Sequence, residues 1–200
     1  MQHFDFNTTP LIKFGSGCLE QLGEICLKKI GTKILIITDE GIIKSGIIDK
    51  ALKSLQKSNI DFTIFSDVQP DPPESNILDS TKICIKNSVE GIIGIGGGSS
   101  LDVAKVTSVL SKGKEKLNQI YGIDNIQEDR LPLILIPTTA GTGSEVTPVS
   151  IVTTGKSEKM GVVSNKIIPD AAILDPELTL GLPPHITAAT GIDAMVHAIE

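Results

Sequence analysis

Short, mostly apolar segments alternate along this chain with longer stretches of helical periodicity. Lys33–Thr38 (KILIIT), Asp61–Phe65 (DFTIF), Gly91–Ile95 (GIIGI) and Leu131–Ile136 (LPLILI) read as strands, and Gly41–Lys57, Glu74–Ser88 and Ser99–Leu110 read as helices. A strand with one wet face alternates apolar and polar residues, whereas an unbroken apolar run is covered on both sides. The helices between these runs are long enough to serve as crossovers between parallel strands. The expectation is a doubly wound α/β fold with a mostly parallel, Rossmann-like sheet. Aromatics supply only 3% of the residues, so Ile, Val and Leu must fill the core, and β-branched residues favour buried strands.

After Pro137 the pattern changes. Val146–Thr153 and Met160–Ser164 are shorter β-like pieces with Gly155 between them as a hairpin turn, and Ala171–Leu174 reads as one more strand. Beyond Asp175-Pro176 the text turns helical over His185–Glu200, which places a domain boundary near residue 178. The last helical stretch carries no C-cap or stop signal, so the sequence is expected to be a piece of a longer protein. Near the start, Phe4-Asp5-Phe6 and Leu11–Phe14 alternate as short strands with an apolar face would.

The net charge of −6 argues against nucleic acid or an anionic membrane as partner, since both repel an acidic surface. Cys18, Cys26 and Cys84 are odd in number and lack CxxC spacing, which disfavours a disulfide framework or zinc knuckle and favours reduced thiols. The opening residues show no basic-then-apolar signal pattern, and no apolar run approaches the ~20 residues of a membrane span. A cytoplasmic protein is the expectation.

Four stretches carry candidate chemistry. Gly94–Ser100 (GIGGGSS) joins a strand end to a helix start, where glycines let backbone amides approach an anion; the plainer reading is a tight turn. Its spacing is not GxGxxG, so the dinucleotide fingerprint itself is absent. Asp39 follows a strand end, where a carboxylate can hold a ribose diol and repel a 2′-phosphate, or merely cap the next helix. Pro137–Glu145 (PTTAGTGSE) offers hydroxyls and glycines to a polar ligand, or is an exposed capping loop. On a helix, Asp193 and His197 lie four apart on one face, which suits either a shared divalent cation or an ordinary surface pair.

The strings Gly96–Lys105 (GGGSSLDVAK), Pro137–Glu145 (PTTAGTGSE) and Gly191–Glu200 (GIDAMVHAIE) occur in this order over residues 96–200. Each alone is unspecific. Together they closely resemble the iron-containing (group III) alcohol dehydrogenase family, which includes propanediol, butanol and lactaldehyde dehydrogenases. The resemblance implies an NAD-binding α/β domain over residues 1–178, and over 179–200 the start of an all-helical domain that holds the metal. Gly96, Gly97, Gly98 and Ser99 match the family's pyrophosphate loop, with Asp102 in the same motif, and Thr138, Thr139 and Thr142 match its threonine loop. Asp39 matches the acidic position associated with NAD preference, and Lys159 resembles a ribose-contacting lysine. Asp193 and His197 match two of four metal ligands; the other two are histidines on later helices. One departure is Asp71, where the family commonly has Asn.

The implied reaction is hydride transfer between NAD and a primary alcohol, diol or aldehyde, with a divalent metal, Fe2+ or alternatively Zn2+, polarising the substrate oxygen. No residue stands out as a general base. The resemblance also implies a homodimer formed through an N-terminal β segment. Two alternatives share these features: a dehydroquinate-synthase-like lyase that uses NAD and a metal, and a nucleotide-binding fragment without catalysis.

Overall fold

The computed structural model describes His3, residues 6–155 and residues 157–199. In chain order the elements are β1 (Ile12–Phe14), α1 (Leu22–Lys29), β2 (Lys33–Ile37), α2 (Glu40–Ser45), α3 (Ile48–Lys57), β3 (Asp61–Phe65) and α4 (Glu74–Lys86). They continue with β4 (Gly91–Gly96), α5 (Gly98–Lys112), α6 (Leu117–Ile120), β5 (Gly122–Ile123), β6 (Leu133–Pro137), β7 (Val149–Thr154), β8 (Glu158–Val163), β9 (Ala171–Leu174) and α7 (Pro184–Ile199). Six strands form one sheet in the order β1-β9-β6-β4-β2-β3, with every pairing parallel. β7 and β8 form an antiparallel hairpin, joined in parallel by β5 in a small second sheet.

The strand pleat sorts the apolar runs between two cores. Ile34, Ile36, Ile93, Ile95, Ile134 and Ile136 face α1 and α3, meeting Leu22, Cys26, Ala51 and Leu55. Leu35, Ile37, Ile92, Leu133 and Leu135 face α4 and α5, meeting Ile77, Cys84, Leu101 and Val103. Each central strand therefore needs apolar residues at every position, which is why these strands read as unbroken runs. Gly94 lets α5 press onto the sheet: a Cβ there would lie 2.8 Å from both Ala104 Cβ and Leu135 Cδ2.

Chain order fixes where a ligand can enter. From β2 the chain steps outward to β3, then returns across β2 to β4 and continues the other way to β6 and β9. The connections leaving β2 and β4 thus diverge, opening a crevice at the carboxyl ends of these two strands.

Three sequence expectations need correction. Gly41–Lys57 is two helices, because Gly46 takes a left-handed conformation (φ 72°) that ends α2. The residues before β2 contain a 3-10 turn (Cys18–Gln21) and α1, to which the sequence reading assigns nothing. Gly23 within α1 is a contact point: a Cβ there would strike Ser58 Oγ and the carbonyl of Ser54 on and beside α3. Of the N-terminal β pattern, only Ile12–Phe14 forms a strand; Phe6 is irregular and exposed, and Phe4 and Asp5 lie outside the described residues.

The hairpin turn at Gly155 is left-handed (φ 57°), as its glycine suggests. Among the described residues Leu178 is the last buried one, and α7 buries none of its side chains. No helix among the described residues is long and apolar enough to cross a membrane.

Candidate functional site

A cavity of about 710 Å³ opens at the crevice where the connections diverge. Asp39, Gly97, Gly98, Ser99, Ser100, Thr138 and Thr139 form its polar wall, and Ile42, Ile47, Val68, Pro70, Leu182 and Ile186 form much of the apolar remainder. An apolar slot beside a polar rim suits a flat heterocycle linked to a charged group.

Asp39 leaves the end of β2 in extended conformation and does two things. Its Oδ1 accepts from the Ile42 amide (3.1 Å), capping α2, and its Oδ2 accepts from Ser100 Oγ (3.3 Å). Asp39 therefore caps α2 and also lines the cavity. The carboxylate is thus fastened to the first turns of α2 and α5.

The glycines of the 96–98 turn serve different ends. Gly96 has φ 147°, and a Cβ on it would lie 2.7 Å from Ser100 Oγ and 3.2 Å from Asp39 Oδ2, so both conformation and packing require glycine. Gly98 abuts Thr142, whose Cγ2 would be 3.1 Å from an added Cβ. At Gly97 nothing in the protein demands glycine: φ is −74° and the nearest atom to an added Cβ is Thr139 Cγ2 at 3.7 Å. A side chain there would instead occupy cavity wall, which fits a ligand that approaches the backbone. α5 starts at Gly98; the amides of Ser100 and Leu101 donate to the Gly97 carbonyl, which leaves those of Gly98 and Ser99 to present a partial positive charge to an anion.

The threonine loop closes over this turn. Thr138, buried at the end of β6, donates its amide to the Gly96 carbonyl (2.9 Å), and Thr138 and Thr139 line the cavity. Thr142 does not line it. It packs on Gly98 from outside while its Oγ1 accepts from the Ser144 amide (3.3 Å).

Asp102 also lies behind the cavity rather than in it. Its Oδ1 accepts from Ser144 Oγ (2.5 Å) and its Oδ2 from the Ile151 amide (2.9 Å). Burial pushes its carboxyl above the usual carboxylate range, opposed by the charge of Lys105 and these hydrogen bonds. Lys105, which the sequence reading passes over, is fully buried and donates to Ser144 Oγ (3.2 Å), the Thr147 carbonyl (2.9 Å) and the Val149 carbonyl (2.8 Å). Burial lowers its pKa to about 8, with Asp102 and Glu145 opposing the shift. The available signal was a charged pair three residues apart on a helix otherwise filled by Leu101, Val103, Ala104 and Val106.

Lys159, on β8, does not line the cavity; its Nζ pairs with Asp71 Oδ1 at 2.7 Å on the exposed side of the hairpin. The departure at Asp71 and the candidate lysine thus neutralise each other. Asp71 follows Pro70 of the cavity wall and adopts φ 50°.

The second candidate pair is carried by α7. Ile186 lines the cavity, and Gly141 of the threonine loop meets Thr190 so closely that a Cβ on it would lie 2.4 Å from the Thr190 carbonyl oxygen. Positions 186, 190, 193 and 197 share one helical stripe, so the face that touches the α/β domain continues into Asp193 and His197. His197 Nε2 and Asp193 Oδ1 are 3.7 Å apart, with the side chains 62% and 44% exposed. Among the described residues no group of three or more His, Cys, Asp or Glu could hold a metal ion. One oxygen and one imidazole nitrogen fit two positions of a divalent site and leave the rest of it to other residues.

Residues 9–176 match the family of iron-containing alcohol dehydrogenases. The chain belongs to that family. The NAD-dependent methanol dehydrogenase of Bacillus methanolicus is 35% identical over 98% of this chain and 52% of its own length. The crystal structure of a 1,3-propanediol oxidoreductase superposes with a TM-score of 0.94 at 34% identity, covering 100% of this chain and 52% of that one. The sulfoacetaldehyde reductase of Bifidobacterium kashiwanohense, solved in complex with NAD+, superposes with a TM-score of 0.90 at 32% identity, covering 100% and 53%. The chain spans about half the length of each of these relatives.

Proposed function

We propose that this chain is the nucleotide-binding half of an NAD-dependent, metal-assisted alcohol dehydrogenase acting on a small primary alcohol, diol or aldehyde. The observation that carries the reading is the convergence of Asp39, Gly97, Ser99, Thr138 and Thr139 on one cavity, with the Asp193 and His197 pair on the adjoining helix. In this reading the first-turn amides of α5 and the hydroxyls of Thr138 and Thr139 hold the pyrophosphate. Asp39 accepts from the adenosine ribose and disfavours a 2′-phosphate, and the slot of Ile42, Ile47 and Val68 takes the adenine. Lys159 reaches the second ribose once released from Asp71. Asp193 and His197 hold two positions of an Fe2+ site that Zn2+ could also fill. When bound, NAD supplies the hydride-accepting ring and the metal a positive charge beside the substrate oxygen. The chain's own contribution is to place these groups side by side and to shield them from water.

Residues 1–178 form the nucleotide domain and 179–200 begin a helical one. Support comes from Leu178 as the last buried residue and from an exposed apolar stripe on α7 (Ile192, Met195, Val196, Ile199) that a following helical domain would cover. The free edge of β1, with Ile12 and Phe14 exposed, suits pairing in a homodimer. Three free, buried cysteines suit a reducing compartment such as the cytoplasm. The test is NADH formation by the full protein loaded with Fe2+, using a panel of alcohols and diols. Turnover with NAD is expected; absence of NAD binding, or of metal-dependent turnover across the panel, would overturn the reading.

A further inference from the structure

We propose that Asp102 and Lys105 are positioning residues of the nucleotide site, clasping segment 144–151 to α5 so that the Thr138–Thr142 loop is held over the phosphate-binding turn. The proposal rests on the nucleotide reading above and departs from its sequence-level form, in which Asp102 belongs to the cofactor-contacting motif.

The geometry is that of a clasp. Asp102 and Lys105 are one turn apart on α5 and reach the same strip of chain. Asp102 holds its two ends, Ser144 Oγ at 2.5 Å and the Ile151 amide at 2.9 Å, while its carbonyl accepts from Ser150 Oγ at 3.1 Å. Lys105 holds the middle, through Ser144 Oγ and the carbonyls of Thr147 and Val149. Neither side chain lines the cavity.

From Ser144 the connection runs on to the site. Its amide donates to Thr142 Oγ1, and Thr142 is seated against Gly98, the first residue of α5. The same helix thus presents its first turn to the ligand and, a turn later, fastens the loop that closes over that turn. Thr138 donates to the Gly96 carbonyl and anchors the loop's other end. Between the anchors lie Gly141 and Gly143, the latter at φ 61°, so this stretch has little stiffness of its own.

Stability alone does not call for a buried lysine. Neighbouring core positions on α5 are Val103, Ala104 and Val106, and apolar replacement of a buried charge pair is often neutral or stabilising. A charged pair with every donor placed specifies one arrangement of an otherwise compliant segment. The lowered pKa of Lys105 agrees with this assignment. As pH rises through about 8, the ammonium becomes an amine with two protons for three acceptors. The charged groups facing it are Asp102 on its own helix and Glu145 on the clasped segment.

The experiment compares wild type with Lys105→Met, Ser144→Ala and Asp102→Asn by hydrogen exchange of the ligand-free protein and by calorimetric titration with NAD. In Lys105→Met and Ser144→Ala, amides of 138–144 should exchange roughly ten-fold faster while those of β2, β4 and β6 are unchanged, and NAD affinity should fall roughly ten-fold. Asp102→Asn removes the carboxylate facing Lys105 and turns one of its two acceptor oxygens into a donor, so it should shift exchange and NAD affinity in the same direction as the other two variants. Wild-type affinity should decline above about pH 8, and Lys105→Met should lack that decline. Should Lys105→Met fail to fold, Ser144→Ala, which removes one hydroxyl, carries both measurements. Unchanged exchange at 138–144 in the three variants, or faster exchange there with native NAD affinity, overturns the proposal. A wild type that binds no NAD overturns the nucleotide reading instead, and the exchange measurement then still decides the clasp.

Discussion

Replacing Gly141 with alanine probes a point where the threonine loop approaches the backbone of α7. An added Cβ would lie 2.4 Å from the Thr190 carbonyl oxygen and 3.0 Å from its carbonyl carbon and Cβ. The φ of Gly141 is outside the left-handed range, so alanine brings collision without backbone strain. Ordinary contact begins near 3.4 Å, so either loop or helix must yield by about 1 Å. A backbone carbonyl cannot swing aside as a side-chain tip can. Overpacking of this kind costs about 1–3 kcal/mol. Asp193 and His197 follow Thr190 on the same helix, so a shift of α7 carries the metal pair with it, and a displacement of ~1 Å at reacting groups can cost about 100-fold in rate. The expected result in the full, Fe2+-loaded protein is a kcat lower by about 100-fold, with NAD affinity changed by less than about threefold, because Gly97 and Thr138 keep their places. Gly191→Ala is the control. It lies on the same helix with no described residue within 4 Å of an added Cβ, so in this chain it should stabilise by about 0.5–1 kcal/mol where Gly141→Ala destabilises. Native kcat in Gly141→Ala would refute the idea that this contact sets the distance between the two halves of the site.

Asp39→Gly should weaken NAD by roughly ten- to a hundred-fold and narrow the preference over NADP, since a hydrogen bond to a charged group is worth about 1.5–3 kcal/mol; competitive titration with both nucleotides reads this, and an unmodified protein that uses both equally contradicts it. Lys105 gives stability a pH dependence of known sign. Its folded pKa is lowered from 10.5 to about 8, so between these values the unfolded chain holds a proton that the folded one has released, and stability rises with pH by up to about 3 kcal/mol. Urea melts across that window should show the rise in wild type and not in Lys105→Met. His197→Ala in the full protein should lower Fe2+ affinity by more than about 100-fold, beyond the loss of an outer partner, while NAD binding stays native; undiminished metal binding would show that α7 does not hold the metal.

Much of the fold was legible because a parallel, doubly covered sheet leaves a direct signature. ILII (34–37), GIIGI and LILIP are apolar throughout since alternate residues enter different cores, and burial on both faces is a property that one strand's own residues can report. The glycine turn, Asp39 and the threonine loop were legible for a related reason. Each follows a strand directly, so strand direction alone carries them to the carboxyl edge. What the sequence by itself determined is therefore the class of fold, the edge at which the site lies, and the family carried by three motifs in order.

Tertiary structure decided what depends on approach between segments distant in sequence. It split Gly41–Lys57 at Gly46, a local choice made by one left-handed residue that periodicity averages away. It set Gly23 of α1 against Ser54 and Ser58, and singled out Gly97 among the turn's three glycines as the one whose bareness faces only the cavity. It moved Asp102, Thr142 and Lys159 off the cavity wall and gave each a partner, Ser144, Gly98 and Asp71, up to 88 residues away. It also brought in Lys105, which the sequence reading passes over and the fold buries completely. Hydrogen bonds and close contacts act over a few ångströms, and the pattern along a chain carries no record of which distant atoms come within that range.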